Sequence, residues 1–224
     1  ATSQVPLYVN DPVAVTAEGT PVRIIRNAET NLGDLCADAY RALSNADIAF
    51  VNGGGIRKQI EAGDITLDDI YSVHPFGNTM CVIRVTGQQV LDALEWGARA
   101  VPSENGGFLQ VSGLTYEIHT GVASSAEKDE NGMFTRVSGE YRVKNVMVGG
   151  QPLELDKTYT LASHNYMLLG HGDGYTMFDG CEVLGEDMMV DNQVLITYIT
   201  TTLGGVVGEQ YANPYGDGRI VAVE

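Results

Sequence analysis

A short apolar strand that runs directly into three glycines constrains this chain more than any other segment. Asp47-Ile-Ala-Phe-Val-Asn52 has no polar residue between its ends, which is typical of a buried strand. Asn52-Gly-Gly-Gly-Ile-Arg57 follows at once, and glycines allow both a sharp turn and a close approach of the backbone to a ligand. In open α/β sheets, ligands bind beyond the carboxyl ends of strands. The sequence therefore predicts a binding segment at this strand end.

The segment before this strand predicts an amphipathic helix. Thr30 or Asn31 is the expected N-cap, and Asp34 lies in the first turn. An apolar stripe follows at helical spacing: Leu32, Leu35, Cys36, Ala39 and Leu43. Further helices are predicted over residues 67–73, 88–100 and 191–203.

The middle of the chain alternates polar and apolar residues in the manner of strands. Strands are predicted over residues 22–26, 47–52, 80–85, 109–119, 136–148, 157–162 and 219–223. Helix–strand units followed by a strand-rich middle predict an α/β (α+β) fold, a single domain with a mixed sheet flanked by helices. We assign residues 21–224 to this domain, and residues 1–20 to a linker or an edge segment.

Charge and hydropathy exclude several classes of protein. The chain has 29 acidic and 13 basic residues, a net charge of −16, which argues against a nucleic acid polymer as partner. No apolar run approaches the roughly 20 residues of a membrane span, and no signal peptide is recognised at the N-terminus. Three widely spaced cysteines predict neither a disulfide framework nor a thiolate zinc site. A small anionic ligand held by a few arginines stays compatible with this composition.

Two loop segments carry side chains suited to a nucleotide. Arg57, after the glycines, offers a permanent cation for a phosphate or carboxylate, although a tight turn with a solvated arginine explains it equally. In His74-Pro-Phe-Gly-Asn78, the ring of Phe76 offers a face to a base, or else covers the edge of the core. His74 is expected to satisfy a backbone group rather than to bind a metal.

A third segment, Ser163-His-Asn-Tyr-Met-Leu-Leu-Gly-His-Gly-Asp-Gly174, leaves three interpretations open. His164, His171 and Asp173 could form a metal site, although further ligands are not evident in the sequence. Tyr166 could instead stack on a base while Asp173 accepts hydrogen bonds from ribose hydroxyls. A glycine-rich loop with ordinary capping roles is the third.

Taken together, these segments resemble the 5′-nucleotidase C-terminal domain family, of the ecto-5′-nucleotidase and periplasmic UDP-sugar hydrolase type. The resemblance runs in order over residues 20–220. Its motifs are Arg26…Thr30-Asn-Leu-Gly33, Asn52-Gly-Gly-Gly-Ile-Arg57, Gly63-Asp-Ile65, Pro75-Phe-Gly-Asn78, Phe108-Leu-Gln-Val-Ser-Gly113 and Asn165-Tyr166…Gly172-Asp-Gly-Tyr175.

The resemblance implies a role for each motif residue. Arg26 and Arg57 would contact phosphate, and Arg23 is a further phosphate candidate. Asn52 would reach the base, and Phe76 and Tyr166 would stack on its two faces. Asn78 would lie close to this stacking site, and Asp173 would bind the ribose hydroxyls. Two departures stand out: the family usually has Phe where this chain has Tyr166, and the loop from Tyr166 to Asp173 is longer than in familiar members.

The resemblance also implies a division of labour between two domains. In this family an N-terminal metallophosphoesterase domain carries two divalent metal ions and performs the hydrolysis, and its ligand motifs are absent from this chain. We therefore expect no metal and no catalytic residue here, and an extracellular, cell-surface or periplasmic setting. The substrate class covers nucleoside monophosphates, cyclic nucleotides and UDP-sugars. The alternatives are a non-catalytic surface or adhesion module and a self-sufficient metalloenzyme.

Overall fold

Five α-helices and sixteen strands follow one another in the computed structural model, which describes residues 1–224. The helices are α1 (Asn31–Ser44), α2 (Leu67–Val73), α3 (Gly87–Ala98), α4 (Asn165–Leu168) and α5 (Asp191–Thr197). The strands are β1 (Thr2–Ser3), β2 (Asn10–Val15), β3 (Pro21–Arg23), β4 (Ile48–Asn52), β5 (Gly63–Asp64), β6 (Met80–Thr86), β7 (Leu109–Ser112), β8 (Leu114–His119), β9 (Ala126–Lys128), β10 (Phe134–Val137), β11 (Val143–Val148), β12 (Gln151–Pro152), β13 (Thr158–His164), β14 (Glu182–Gly185), β15 (Val206–Val207) and β16 (Ile220–Val223).

The central sheet has five strands in the order β14-β6-β13-β4-β7. β13 and β4 are parallel, and the other three pairs are antiparallel. A four-stranded sheet has the order β12-β11-β8-β16, and a three-stranded one has the order β15-β1-β5. The predicted α/β (α+β) domain with a mixed sheet is therefore confirmed.

Two hydrophobic cores lie on opposite faces of the central sheet, because successive side chains of a strand alternate between faces. In β4, Ala49 and Val51 pack in the core that contains the apolar stripe of α1. Ile48 and Phe50 pack in the other core, together with Trp96 of α3. The sheet is thus covered on both faces, as its unbroken apolar strand requires.

Local signals explain where the helices begin. The Thr30 hydroxyl accepts a hydrogen bond from the Gly33 amide at 3.0 Å, so Thr30 is the N-cap of α1. Thr66 and Asp69 form a reciprocal capping box at α2, which matches the predicted residues 67–73. α5 continues as a π-helix over Tyr198–Thr202. None of these helices combines the length and apolar character needed to cross a membrane.

Two predicted strands are each divided in the structure. The prediction over 109–119 is wrong as one strand, because Gly113, with φ of 82°, separates β7 and β8 into different sheets. The predicted strand over 136–148 is likewise two strands, β10 and β11. Near the N-terminus, β1 is the middle strand of its sheet and Leu7 is fully buried, whereas Val13 and Val15 of β2 are exposed.

Candidate functional site

A cleft lies at the edge of the central sheet where two strands finish and their two neighbours begin. The parallel strands β4 and β13 finish at Asn52 and His164, which places their carboxyl ends at one edge. Their antiparallel neighbours begin there, since Met80 of β6 pairs with His164 and Leu109 of β7 pairs with Asn52. The segments that enter and leave these strand ends therefore meet at one edge of the sheet.

All seven side chains predicted for the substrate site lie at this cleft, which has a volume of about 490 Å³. The lining residues are Arg26, Asn52, Gly54, Gly55, Arg57, Phe76, Asn78, Gly106, Tyr166 and Asp173. This volume falls in the range of about 300–1,000 Å³ that is usual for small-molecule sites. Their roles in binding stay predictions.

The three glycines after β4 are required by close packing rather than by left-handed backbone, since none of them has positive φ. The Gly53 and Gly54 amides each donate at 2.7 Å, to the carbonyls of Phe108 and Gly106. A Cβ at Gly53 would overlap the Ile25 carbonyl. The glycines thus let three chain segments meet beneath the cleft, two of which carry Arg26 and Gly106.

Two arginines make part of the cleft cationic. Arg26 is partly buried, and its Nε has no hydrogen-bond partner. Burial lowers the pKa of Arg26, and the neighbouring charges of Arg23 and Arg57 lower it further. Arg57 is exposed, and its guanidinium carbon lies 5.9 Å from the centre of the Phe76 ring. Like charges are costly to hold together, so an anion bound here would relieve their repulsion.

Two aromatic rings are exposed to the cleft. Phe76 is 60% exposed and Tyr166 is 44% exposed, although large apolar rings are usually buried. The Tyr166 ring lies directly over Gly172, where a Cβ would overlap it. The loop backbone therefore covers part of this ring, while its exposed part faces the cleft.

Asp173 contributes a hydrogen-bonded carboxylate to the cleft. Asn52 Nδ2 donates to Asp173 Oδ2 at 2.6 Å, and the Tyr166 hydroxyl donates to Asp173 Oδ1 at 3.2 Å. The indole of Trp96 donates to the Asp173 carbonyl at 2.9 Å, which fixes the backbone as well. Both carboxylate oxygens keep further acceptor capacity, since a carboxylate has about four acceptor positions.

A buried histidine fixes the Asn52 amide. A carboxylate only accepts, so Asn52 must turn its NH₂ toward Asp173 and its Oδ1 toward His164, whose Nε2 lies 3.0 Å away. Burial, and then the neighbouring His74, lowers the pKa of His164 to about 3. The ring is therefore neutral above that pH and carries its single proton on Nε2. One N–H of Asn52 stays available to a ligand.

Asn78 and Gln110 are held by contacts that no local sequence pattern reveals. The Asn78 amide donates to Asp191 Oδ2 at 3.2 Å, and the Asp191 amide donates to the Asn78 carbonyl at 2.8 Å. Gln110 Nε2 donates to the carbonyls of Ile25 and Ala28, at 3.1 and 2.8 Å, and so holds the segment that carries Arg26. Gln110 stood inside a motif of the resemblance and His164 in the third segment, but their partners are distant in sequence.

The alternative metal site is not assembled. His171 Nε2 contacts Asp179 Oδ1, whereas His164 faces Asn52. The potential ligands that do converge are Glu29, Asp34 and Asp217, a group distinct from the cleft. The Arg219 guanidinium lies 3.5, 2.7 and 2.8 Å from carboxyl oxygens of Asp34, Asp38 and Asp217, so a cation already faces two members of this group.

Comparisons with known proteins point to one family. Residues 12–180 match the family described as "5'-nucleotidase, C-terminal domain". The chain is 36% identical over 203 residues to the trifunctional nucleotide phosphoesterase protein YfkN of Bacillus subtilis, covering 89% of this chain and 13% of YfkN. It is 33% identical over 176 residues to a 5′-nucleotidase of Vibrio cholerae, covering 79% of this chain and 28% of that protein.

Among solved structures, the 5′-nucleotidase precursor of Thermus thermophilus matches with a TM-score of 0.78 and 30% identity. The match covers 100% of this chain and 39% of that one. The structure of Haemophilus influenzae NAD nucleotidase matches with a TM-score of 0.67 and 19% identity, which shows a shared fold. The chain thus spans 13% and 28% of the lengths of these two relatives and 39% of the first structure.

Proposed function

The chain belongs to the 5′-nucleotidase C-terminal domain family, and on that premise we propose that its cleft binds the base, ribose and phosphate of a nucleotide. The single observation that carries the proposal is the convergence of three chemistries on one cleft. Arg26 and Arg57 supply cations, Phe76 and Tyr166 supply exposed rings, and Asp173 supplies an oriented carboxylate. Phosphate, base and ribose hydroxyls are the three groups that such partners recognise.

Hydrolysis in this proposal belongs to a second domain of the same protein. The family resemblance implies an N-terminal metallophosphoesterase domain with two divalent metal ions. The lengths of the relatives leave room for such a domain, because this chain spans 28% of the Vibrio cholerae protein and 39% of the Thermus thermophilus chain.

The residues of this chain's cleft do not fit that metal pair. Asp173 is the sole carboxylate among the lining residues, and both of its oxygens accept hydrogen bonds from neighbouring side chains. Two-metal sites need several carboxylate or imidazole ligands. The chain alone is therefore expected to bind nucleotides without hydrolysing them. From the family resemblance, we also expect an extracellular or periplasmic setting.

Binding by this domain alone is expected to be weak. Stacking on an aromatic ring contributes about 1–3 kcal/mol per base, and a hydrogen bond to a charged group contributes about 1.5–3 kcal/mol. Lost rigid-body freedom opposes these gains, at about 4–15 kcal/mol. We therefore expect no better than high micromolar to millimolar affinity, which closure of a second domain over the cleft would strengthen by excluding water.

The test is an NMR titration of the isotope-labelled chain with adenosine, AMP and UMP. Amide shifts are expected to cluster at Phe76, Tyr166 and Asp173, and AMP should add shifts at Arg26 and Arg57. Arg84, which pairs with Glu182 at 2.8 Å outside the cleft, is the internal control and should not shift. Saturating ligand without a response at the cleft would contradict the proposal and favour a surface or adhesion module.

A further inference from the structure

The Tyr166 hydroxyl makes two contacts that a phenylalanine could not make. It donates to Asp173 Oδ1 and accepts a hydrogen bond from the Asp173 amide, both at 3.2 Å. Burial, and then the charge of Asp173, raises the pKa of Tyr166, so the hydroxyl keeps its proton and can act as a donor. One atom therefore connects both the side chain and the backbone of Asp173 to the aromatic residue seven positions earlier.

The loop that these contacts close has an unfavourable backbone. His171 and Asp173 both have φ of 55°, in the left-handed region that side chains other than glycine rarely adopt. Such residues persist where surrounding contacts determine them. The indole of Trp96 holds the Asp173 carbonyl, and the Tyr166 hydroxyl holds its amide and carboxylate. The hydroxyl is thus one of the groups that determine this conformation.

The stacking surface and the hydroxyl of Tyr166 are separable. The ring rests on Gly172, where a Cβ would overlap it, and its centre lies 5.9 Å from that of His164. Phenylalanine would keep these ring contacts and would lose only the two hydrogen bonds. A role of the hydroxyl can therefore be measured without removing the ring that faces the cleft.

The Asp173 carboxylate is fixed from two sides. Tyr166 holds Oδ1, and Asn52 holds Oδ2 at 2.6 Å while its own amide is fixed by His164. A carboxylate held by one donor on each oxygen keeps an acceptor position on both oxygens. Two adjacent hydroxyls can donate to such a carboxylate together, whereas a single hydroxyl uses only one of its oxygens.

We propose that the Tyr166 hydroxyl is a positioning group that orients Asp173 toward a vicinal diol, and so favours ribonucleosides over 2′-deoxyribonucleosides. This inference rests on the proposed function, because it assumes that a nucleoside occupies the cleft. It goes further by assigning part of the sugar selectivity to a residue that acts through Asp173.

The test compares adenosine with 2′-deoxyadenosine by NMR titration of the wild-type chain and of Tyr166→Phe. The substitution should weaken adenosine binding about threefold to tenfold and 2′-deoxyadenosine binding less than twofold, so the preference for ribose falls. The Asp173 amide, which loses its acceptor, should also exchange faster with solvent. Tyr215→Phe removes another exposed tyrosine hydroxyl that contacts a carboxylate, that of Asp11, outside the cleft; it is the matched control and should leave the preference unchanged.

A double-mutant cycle with Asp173→Asn separates positioning from a general effect on stability. Once Asp173 is replaced, Tyr166→Phe should change the ratio of the two affinities no further. A ratio that Tyr166→Phe leaves unaltered in the wild-type background, or alters equally in the Asp173→Asn background, overturns the inference while nucleoside binding stands. Absence of nucleoside binding by the wild type would instead overturn the proposed function itself.

Discussion

The sharpest prediction concerns the two arginines of the cleft, Arg26 and Arg57, because they differ in burial. We expect Arg26→Met and Arg57→Met each to weaken AMP binding and to leave adenosine binding within twofold. Methionine keeps an unbranched side chain and removes the charge. Adenosine has no phosphate, so it reports any damage to the rest of the cleft.

The two losses should differ in size. Arg26 is partly buried and its Nε lacks a partner, so a phosphate contact there should contribute about 1.5–3 kcal/mol, or roughly 10–150-fold in affinity. Arg57 is exposed, and exposed ion pairs contribute about 0.2–1 kcal/mol, or roughly 1.4–5-fold. The larger effect is therefore expected at Arg26.

NMR titrations of AMP and adenosine at constant ionic strength measure both ratios. Arg84→Met is the control, since Arg84 pairs with Glu182 away from the cleft and its loss should change neither affinity. Equal losses for AMP and adenosine would mean that neither arginine meets the phosphate. A larger loss at Arg57 than at Arg26 would refute the argument from burial.

Three further predictions concern stability and the aromatic ring. Burial raises the pKa of Asp34 to about 9, so the folded state keeps a proton that the unfolded state loses above about pH 4. The free energy of unfolding should therefore fall as the pH rises from 5 to 8, by up to about 1 kcal/mol per pH unit. Urea unfolding of Asp34→Asn should lack this part of the pH dependence, and parallel profiles would contradict it. Arg219→Met leaves the partly buried carboxylate of Asp38 without its cation and should lower the free energy of unfolding by about 3–5 kcal/mol; a loss below about 1 kcal/mol in urea titrations would refute this. Gly172→Ala should push the Tyr166 ring from its seat and weaken adenosine binding in NMR titrations, whereas Gly121→Ala, at a glycine with open space around it, should not.

The sequence was most informative where a structural decision is local. The boundaries of α2 depend on its capping box, which lies within the helix and its first neighbour, and the prediction over 67–73 was correct. The break between β7 and β8 depends on tertiary packing instead. Gly113 adopts positive φ there, and a Cβ would overlap the Asp47 carbonyl, which belongs to a segment 66 positions away. The alternation of polar and apolar residues changes phase at this break, from odd-numbered apolar positions before Gly113 to even-numbered ones after it. An isolated glycine at a change of phase is a signal of an interrupted strand that the prediction over 109–119 did not use.

The candidate site divides in the same way. The ordered motifs of the family resemblance named the seven side chains that the structure places at the cleft. The contacts that hold them were not predictable. Asn52 and Asp173 are 121 positions apart, and Gln110 and Ile25 are 85 apart. Such pairs become neighbours only when the order and register of the strands are known.

Strand register therefore explains how the Asp173 carboxylate, which lies in a loop, is held in place by residues at strand ends. Parallel pairing of Ile48 with Leu161 and of Ala49 with Ala162 brings the ends of β4 and β13 level, within one residue of each other. Asn52 and His164 consequently meet by sheet geometry, and their hydrogen bond sets the amide that holds Asp173. A register slip by one residue would turn the side chains of β4 to the opposite faces and mix the two cores. The cores that stabilise the sheet thus also orient the carboxylate at the cleft.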